Sequence, residues 1–323
     1  MAVSSCTAGL HIALKAISNK KKKKVITSPI SFVSTANIIK INEKNLSFTD
    51  IDRETLNISP VLLKKLIKKD KKILSVIPVH LGGYAASSEK IYRLCKKNNI
   101  FVIEDAAHSF GAKYNKKDKV GSCKYSDMTV FSFHPVKSLT TGEGGVITTN
   151  SKILYEKLIS LRNHGIEKNS KKWKNKKNGF SKNKPNMWYY EMHDVGFNYR
   201  ITDFQCALGL SQLKKLNIVL KRRRKIAKIY DSHFEQTKNV FIPQKFKRDY
   251  SSNHLYILNI NFEKLKISRN FFMRELKKKN IITQVHYIPI PLHPYYRERG
   301  YNMKKLQNST NYYSQALSIP IFF

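Results

Sequence analysis

The sequence predicts an α/β protein with a large, mostly parallel sheet and a smaller α/β unit after it. Short β-rich runs alternate with amphipathic helical runs over the first two-thirds of the 323 residues. A long helical run follows, and beyond Pro243 the order changes to strand, helix, strand. Residues capable of chemistry gather directly after the predicted strands, at the edge of an open α/β sheet where ligands bind.

An amphipathic helix over 8–17 precedes a first strand at 25–27. Further strands fall on the β-branched and apolar runs at 46–49, 73–78, 101–104, 128–132 and 145–149. Helices are expected between them at 60–68, 87–97 and 152–162. In the second of these, Ile91, Leu94 and Cys95 share one face at helical spacing. Residues 168–185 are rich in Lys, Asn and Ser, contain Gly179 and Pro185, and read as a mobile surface loop. A helix rich in Leu, Ala, Gln and Lys runs from 202 to about 230. A strand at 254–260, a helix at 269–279 and a strand at 282–287 make the smaller unit, so the expected domains are residues 1–220 and 221–323.

Hydrophobic types make up 41% of the chain, enough for one large core and one small. No stretch approaches the roughly 18 consecutive apolar residues that span a bilayer. Ser4, Ser5, Thr7 and His11 interrupt the start where a signal peptide needs an apolar run. A cytoplasmic protein without a membrane partner is the expectation. Cys6, Cys95, Cys123 and Cys206 lack any C-x-x-C spacing and read as buried thiols rather than disulfides or a zinc site. Lys and Arg number 60 against 22 Asp and Glu, a formal charge of +38. Nucleic-acid binding is the reading to test first. However, the lysines fall in separate runs (20–24, 64–72, 171–177, 277–279), between ordered segments and on helix faces. A general drift towards lysine on solvated surfaces accounts for this better, and the net field still favours anionic ligands.

Four clusters carry chemistry. Glu104, Asp105 and His108 follow an apolar strand, where a buried carboxylate is costly unless a positive group meets it. A protonated pyridine nitrogen is such a group, and an imidazole three residues on can lie against the same ring. A strand-end Asp capping the next helix would look the same. Ser132 and Lys137 lie in an aromatic, glycine-bounded segment over 131–145, unlike the solvated lysines elsewhere. A lysine used as a nucleophile needs such desolvation, and Ser132 can offer its hydroxyl to a phosphate. Cys6 and Thr7 stand with Ser4 and Ser5 just before a helix, where backbone N–H groups and the helix dipole favour an anion. A plain N-cap fits there equally well. Asn198 and Arg200 open the long helix and suit phosphate or carboxylate contacts.

In this order the clusters closely resemble the DegT/DnrJ/EryC1/StrS family, fold-type I aminotransferases that act on nucleotide-linked sugars with pyridoxal 5'-phosphate. The resemblance covers nearly the whole chain: TSPISFVSTAN from 27, EDAAHSFGA from 104, FSFHPVKSLTTGEGG from 131, RNHG from 162 and GFNYRITDFQCALGLSQLKKL from 196. It implies that Lys137 is the Schiff-base lysine and proton carrier, that Asp105 partners the pyridine nitrogen and that His108 stacks on the ring. It also implies cofactor contacts from Cys6, with Thr7 and Ser132 at the cofactor phosphate. Asn198 would reach that phosphate from the other subunit of a homodimer with shared active sites. Members that remove a sugar hydroxyl carry histidine in place of the lysine, so Lys137 implies a transaminase.

In the smaller unit, SSNHLYIL (251–258), QVHYIP (284–289) and LSIP (317–320) look most like members acting on a UDP-linked 4-keto-6-deoxy-N-acetylhexosamine. Those members aminate C4 on the route to pseudaminic acid, with glutamate as amino donor, and His286 and Tyr287 would contact the nucleotide-sugar. Members that make UDP-4-amino-4-deoxy-L-arabinose are similar over the first half, in AVSSCTAGLHIAL (2–14). Family members continue before Met1 and beyond Phe323, so the smaller unit is expected to be incomplete. The rival readings are a cofactor-free basic binding protein on this fold, and an inactive remnant of the enzyme.

Overall fold

The computed structural model describes residues 1–18 and 21–322. Lys20, which opens the first lysine run, and Phe323 lie outside them. Seven strands form the large sheet: β1 (Ala2–Val3), β2 (Lys24–Thr27), β3 (Asn45–Phe48), β4 (Ile73–Ile77), β5 (Phe101–Asp105), β6 (Met128–Ser132) and β7 (Gly145–Thr148). Their order is β1-β7-β6-β5-β4-β2-β3. Strands β3, β2, β4, β5 and β6 run parallel, whereas β7 is antiparallel to β6 and β1 to β7. Every residue of β4 and β6 is buried, as central strands covered on both faces require.

Helix α1 (Cys6–Ala16) is buried at every position from Ala8 to Leu14, which makes it the central helix of the core. Helix α2 (Val33–Ile41) was not expected. Its Val, Ser, Thr and Ile are poor helix formers and no side chain caps its start, so packing of Thr35, Ala36, Ile38 and Ile39 must hold it. Helices α3 (Pro60–Lys69), α4 (Ser88–Lys96) and α5 (Lys152–Arg162) lie within a residue or so of their predicted limits.

The reading of 168–185 as a mobile loop needs correction. The chain makes strand β8 (Ile166–Glu167), the single-turn helix α6 (Lys176–Gly179), the hairpin β9 (Phe180–Ser181) and β10 (Lys184–Pro185), and strand β11 (Glu191–Met192), which pairs with β8. Trp173 orders this arm: it is buried against Phe180 and Tyr189, and its indole N–H donates to the carbonyl of Glu167 at 3.1 Å.

Helix α7 (Asp203–Phe234) opens with a capping box between Thr202 and Gln205, and the expected boundary at 220 falls inside it. A small antiparallel sheet follows, β12 (Val240–Phe241), β13 (Tyr256–Ile260) and β14 (Ala316–Ile319), with α8 (Arg269–Lys278), α9 (Pro294–Arg297) and α10 (Gln307–Gln315). The strand expected at 282–287 is absent. Gln284 makes one bridge to Ser318, and the chain then leaves β14 and carries Tyr287 towards the large sheet. Among the described residues, no helix is long and apolar enough to cross a membrane.

Candidate active site

A cavity of about 580 Å³ opens at the C-terminal ends of the parallel strands. Its walls come from the start of α1 (Ser5, Cys6, Thr7), the turn into α2, the ends of β5 (Asp105, His108) and β6 (Ser132, Lys137), and Tyr287. Gly145 lets α1 begin here: a Cβ would stand 2.8 Å from the Cys6 nitrogen and from the Phe131 carbonyl oxygen. Any side chain would push the helix start away from β6.

Alternation along β5 sends two neighbouring carboxylates to opposite faces. Glu104, fully buried, is satisfied by protein alone. It accepts from the hydroxyls of Ser88 (2.7 Å), Tyr114 (2.5 Å) and Thr129 (2.7 Å), and His80 Nε2 lies 3.2 Å away. Burial would raise its carboxyl, but His80 with the Tyr114 and Ser88 hydroxyls holds it below the usual range. Asp105, 4% exposed, faces the cavity. One oxygen accepts from Thr35 Oγ1 at 2.6 Å and the other from the Ala107 amide at 3.1 Å. Among the described residues no cation lies within ion-pair distance of it, and burial pushes its carboxyl up against Thr35, Ala107 and Lys137. A buried carboxylate with open lone pairs suits a cationic N–H on a ligand.

Burial lowers the Lys137 ammonium from the ordinary lysine value, with Cys6 and Asp105 opposing. His108 is oriented at both nitrogens: its Nδ1 accepts from the Gly82 amide at 3.3 Å, and its Nε2 stands 3.0 Å from the Tyr287 hydroxyl. An acceptor at Nδ1 leaves the proton on Nε2, which donates to Tyr287. Burial, then Lys137, His254 and His286, push His108 well below the usual histidine value and keep the ring neutral. At the start of α1, Ser5 caps the helix by accepting from the Ala8 amide at 3.1 Å. Cys6, Thr7 and Ser132 surround that helix start, where N–H groups and dipole attract an anion. Burial raises the Cys6 thiol well above its usual value, so it is a neutral lining group. The cavity therefore combines a carboxylate, an anion cradle at the start of α1 and a half-buried amine.

Of the residues picked out from sequence, Cys6, Thr7, Asp105, His108, Ser132, Lys137 and Tyr287 line this one cavity. His286 does not. Its Nδ1 meets Ser318 Oγ at 2.9 Å and its carbonyl accepts from the Tyr312 hydroxyl. Asn198 is exposed outside the cavity, in a bridge to Asn163. Ser31, Phe32, Thr35 and Glu143 belong to the site or its supports and were not assigned from sequence. The available signal was the hydroxyl-rich run after β2, which has no meaning until α2 folds it back beneath Asp105.

This fold and this cavity define the large-sheet architecture of fold-type I aminotransferases. The DegT/DnrJ/EryC1/StrS aminotransferase family matches residues 1–323, and the chain belongs to it. An uncharacterised protein of Methanocaldococcus jannaschii, MJ1066, is 41% identical over 323 residues, all of this chain and 80% of the relative. A UDP-4-amino-4,6-dideoxy-N-acetyl-β-L-altrosamine transaminase of Campylobacter jejuni is 36% identical over 320 residues, 98% of this chain and 79% of the relative. Among solved structures, Spr1654 from Streptococcus pneumoniae in a PLP form superposes with a TM-score of 0.85 at 26% identity, over 100% of this chain and 82% of that one.

Proposed function

We propose that the protein is a pyridoxal phosphate-dependent aminotransferase that moves an amino group from glutamate to C4 of a UDP-linked 4-keto-6-deoxy-N-acetylhexosamine. The cavity's set of groups carries the reading: Asp105 for a ring nitrogen, the α1 start with Thr7 and Ser132 for a phosphate, and the half-buried Lys137 amine for a carbonyl carbon. That donor set fits pyridoxal phosphate, the cofactor present in the streptococcal structure. When bound, the cofactor supplies the electron sink for passing an amine between donor and acceptor. Asp105 would hold the ring nitrogen in its protonated form, and His108 would pack against the cofactor. The Lys137 amine would hold the cofactor, and as a base it would carry the proton at the carbon that loses or gains the amine. The hexosamine assignment is supported by the Campylobacter relative, 36% identical over nearly the whole chain.

A homodimer belongs to this reading. Met187, Trp188 and Phe204 are large apolar side chains exposed at 103%, 75% and 91%, and apolar exposure of this kind suits cover by a partner. In the family's shared-site arrangement, the second copy would bring its Asn198 to the cofactor phosphate. We place the enzyme in the cytoplasm, where its nucleotide-sugar substrate is made and used.

The test is the absorbance of the protein with pyridoxal phosphate, before and after glutamate. A yellow band that bleaches with glutamate, and is absent from Lys137→Ala, is expected. Lys137→Ala should also lose about 10³-fold or more in turnover of the keto-sugar. A colourless wild type, or a variant with normal turnover, would remove the assignment.

A further inference from the structure

Beneath the cavity floor lies a chain of hydroxyls that ends on Asp105. Thr35 Oγ1 stands 2.6 Å from Asp105 Oδ2 and 2.8 Å from Ser31 Oγ, with Thr35 at 0% and Ser31 at 2% exposure. A threonine hydroxyl has one proton. The short contact to a carboxylate takes that proton, so Ser31 must be the donor to Thr35. Ser31 in turn faces the cavity, where Asp105 also stands. With Asp105 ionised, the direction of the chain is therefore Ser31 to Thr35 to Asp105.

We propose that Thr35 is a positioning residue that keeps Asp105 ionised and aimed at the ring nitrogen of the cofactor, with Ser31 supporting it. The proposal rests on the pyridoxal phosphate reading above. Two donors hold the buried carboxylate, and the Ala107 amide is the other. An N–H or O–H donor to a carboxylate favours the charged form. Burial works the other way, so removing Thr35's hydroxyl lets Asp105 take a proton of its own. A protonated Asp105 can no longer stabilise a protonated ring nitrogen opposite it. Cofactor affinity and the protonation of the ring then fall together, without any change in the residues that touch the cofactor. Helix α2 is the element that makes this possible: its first turn carries Thr35 under the strand end.

The experiment measures dissociation constants of wild type, Thr35→Val and Thr35→Ser for pyridoxal phosphate and for its analogue with carbon in place of the ring nitrogen. Thr35→Val should bind the true cofactor about tenfold or more weakly, as expected for loss of a hydrogen bond to a charged group, and Thr35→Ser should restore most of it. With the carbon analogue the penalty should shrink to about twofold or less, because there is no ring nitrogen for Asp105 to hold. Equal losses for both ligands would mean a merely structural role and overturn the proposal, as would no loss for either. If Thr35→Val does not fold, Ser31→Ala should show a smaller loss for the true cofactor that again vanishes with the analogue, and equal losses there overturn it as well. A wild type that binds neither ligand would instead overturn the cofactor reading on which this one stands.

Discussion

Tyr287 reaches His108 from the other side of the cavity, and the hydrogen-bond directions define what it does. With Gly82 donating to Nδ1, the proton on Nε2 must find an acceptor, and the Tyr287 oxygen at 3.0 Å is the one present. Burial raises the Tyr287 hydroxyl well above its usual value, so the phenol stays neutral and keeps accepting. Tyr287→Phe leaves a buried N–H without a partner, at a cost of roughly 1–3 kcal/mol. Part of that appears as a loosened imidazole over the cofactor ring. We expect kcat/KM to fall about tenfold in Tyr287→Phe, with cofactor still bound, by steady-state kinetics and cofactor absorbance. An unchanged kcat/KM would mean that Tyr287 does not orient His108. The tyrosine and His108 were both picked out from sequence, but the hydrogen bond between them was not, because 179 residues separate the two.

At the scale of elements, the smaller unit reaches the large sheet through a glycine. Gly83 has φ +93°, and a Cβ there would stand 2.2 Å from Ser252 Oγ and 3.0 Å from the carbonyl oxygen of His108. Ser252 itself donates to that His108 oxygen at 2.6 Å, and its amide donates to the Gly83 carbonyl. Gly83→Ala therefore combines a strained backbone with a collision inside a hydrogen-bonded seam, a cost of about 2–4 kcal/mol. Its urea midpoint should fall accordingly, and an unshifted midpoint would show that the seam can open without penalty. Such seams explain which parts of the fold were legible in the sequence. Strands β2 to β7 and helices α3 to α5 announced themselves through local pattern, since each buries one apolar face or run. Helix α2 did not, because its Val-Ser-Thr-rich start favours strand and only packing overrides it. The arm was hidden by its lysines, although Trp173, Phe180 and Tyr189 at its centre were a visible nucleus. Lys137, Asp105 and His108 were legible through glycine-rich and strand-end motifs. Thr35 and Ser31 were not, because their meaning depends on the unforeseen helix.

For the whole molecule, the formal charge of +38 is joined by histidines that the fold keeps neutral. Burial and the nearby Lys137 push His108 and His254 well below the ordinary value, and His286 from 6.5 to about 4. A depressed histidine binds fewer protons folded than unfolded, so its contribution is complete above about pH 6.5 and is lost as pH falls towards 4. For His286 alone the difference is roughly 3 kcal/mol. Glu104, held down in the fold, acts in the same direction. Asp105, pushed up, opposes it as a single group. Tm should therefore fall steeply between pH 7 and pH 4.5, and His286→Asn should flatten the slope. A Tm independent of pH in that window would mean that these rings are not held neutral.

Whether one chain is a complete enzyme turns on where Asn198 acts. Asn198 is exposed, and the cavity of its own chain does not include it. If a second copy covers Trp188 and Phe204, each site takes Lys137 from one chain and Asn198 from the other. Lys137→Ala lacks the reacting amine, and Asn198→Asp sets a negative charge against a phosphate, so each homodimer should be nearly inactive alone. In a mixed dimer both lesions fall on one site and leave the other intact. After the two variants are unfolded together and refolded, half of the dimers are mixed and half of their sites are sound, so about a quarter of wild-type activity should return. Mixing without refolding should return little, since subunits must exchange first. Recovery no greater than the sum of the separate variants would show that each chain works with its own Asn198 or with none, and the shared site would have to be abandoned.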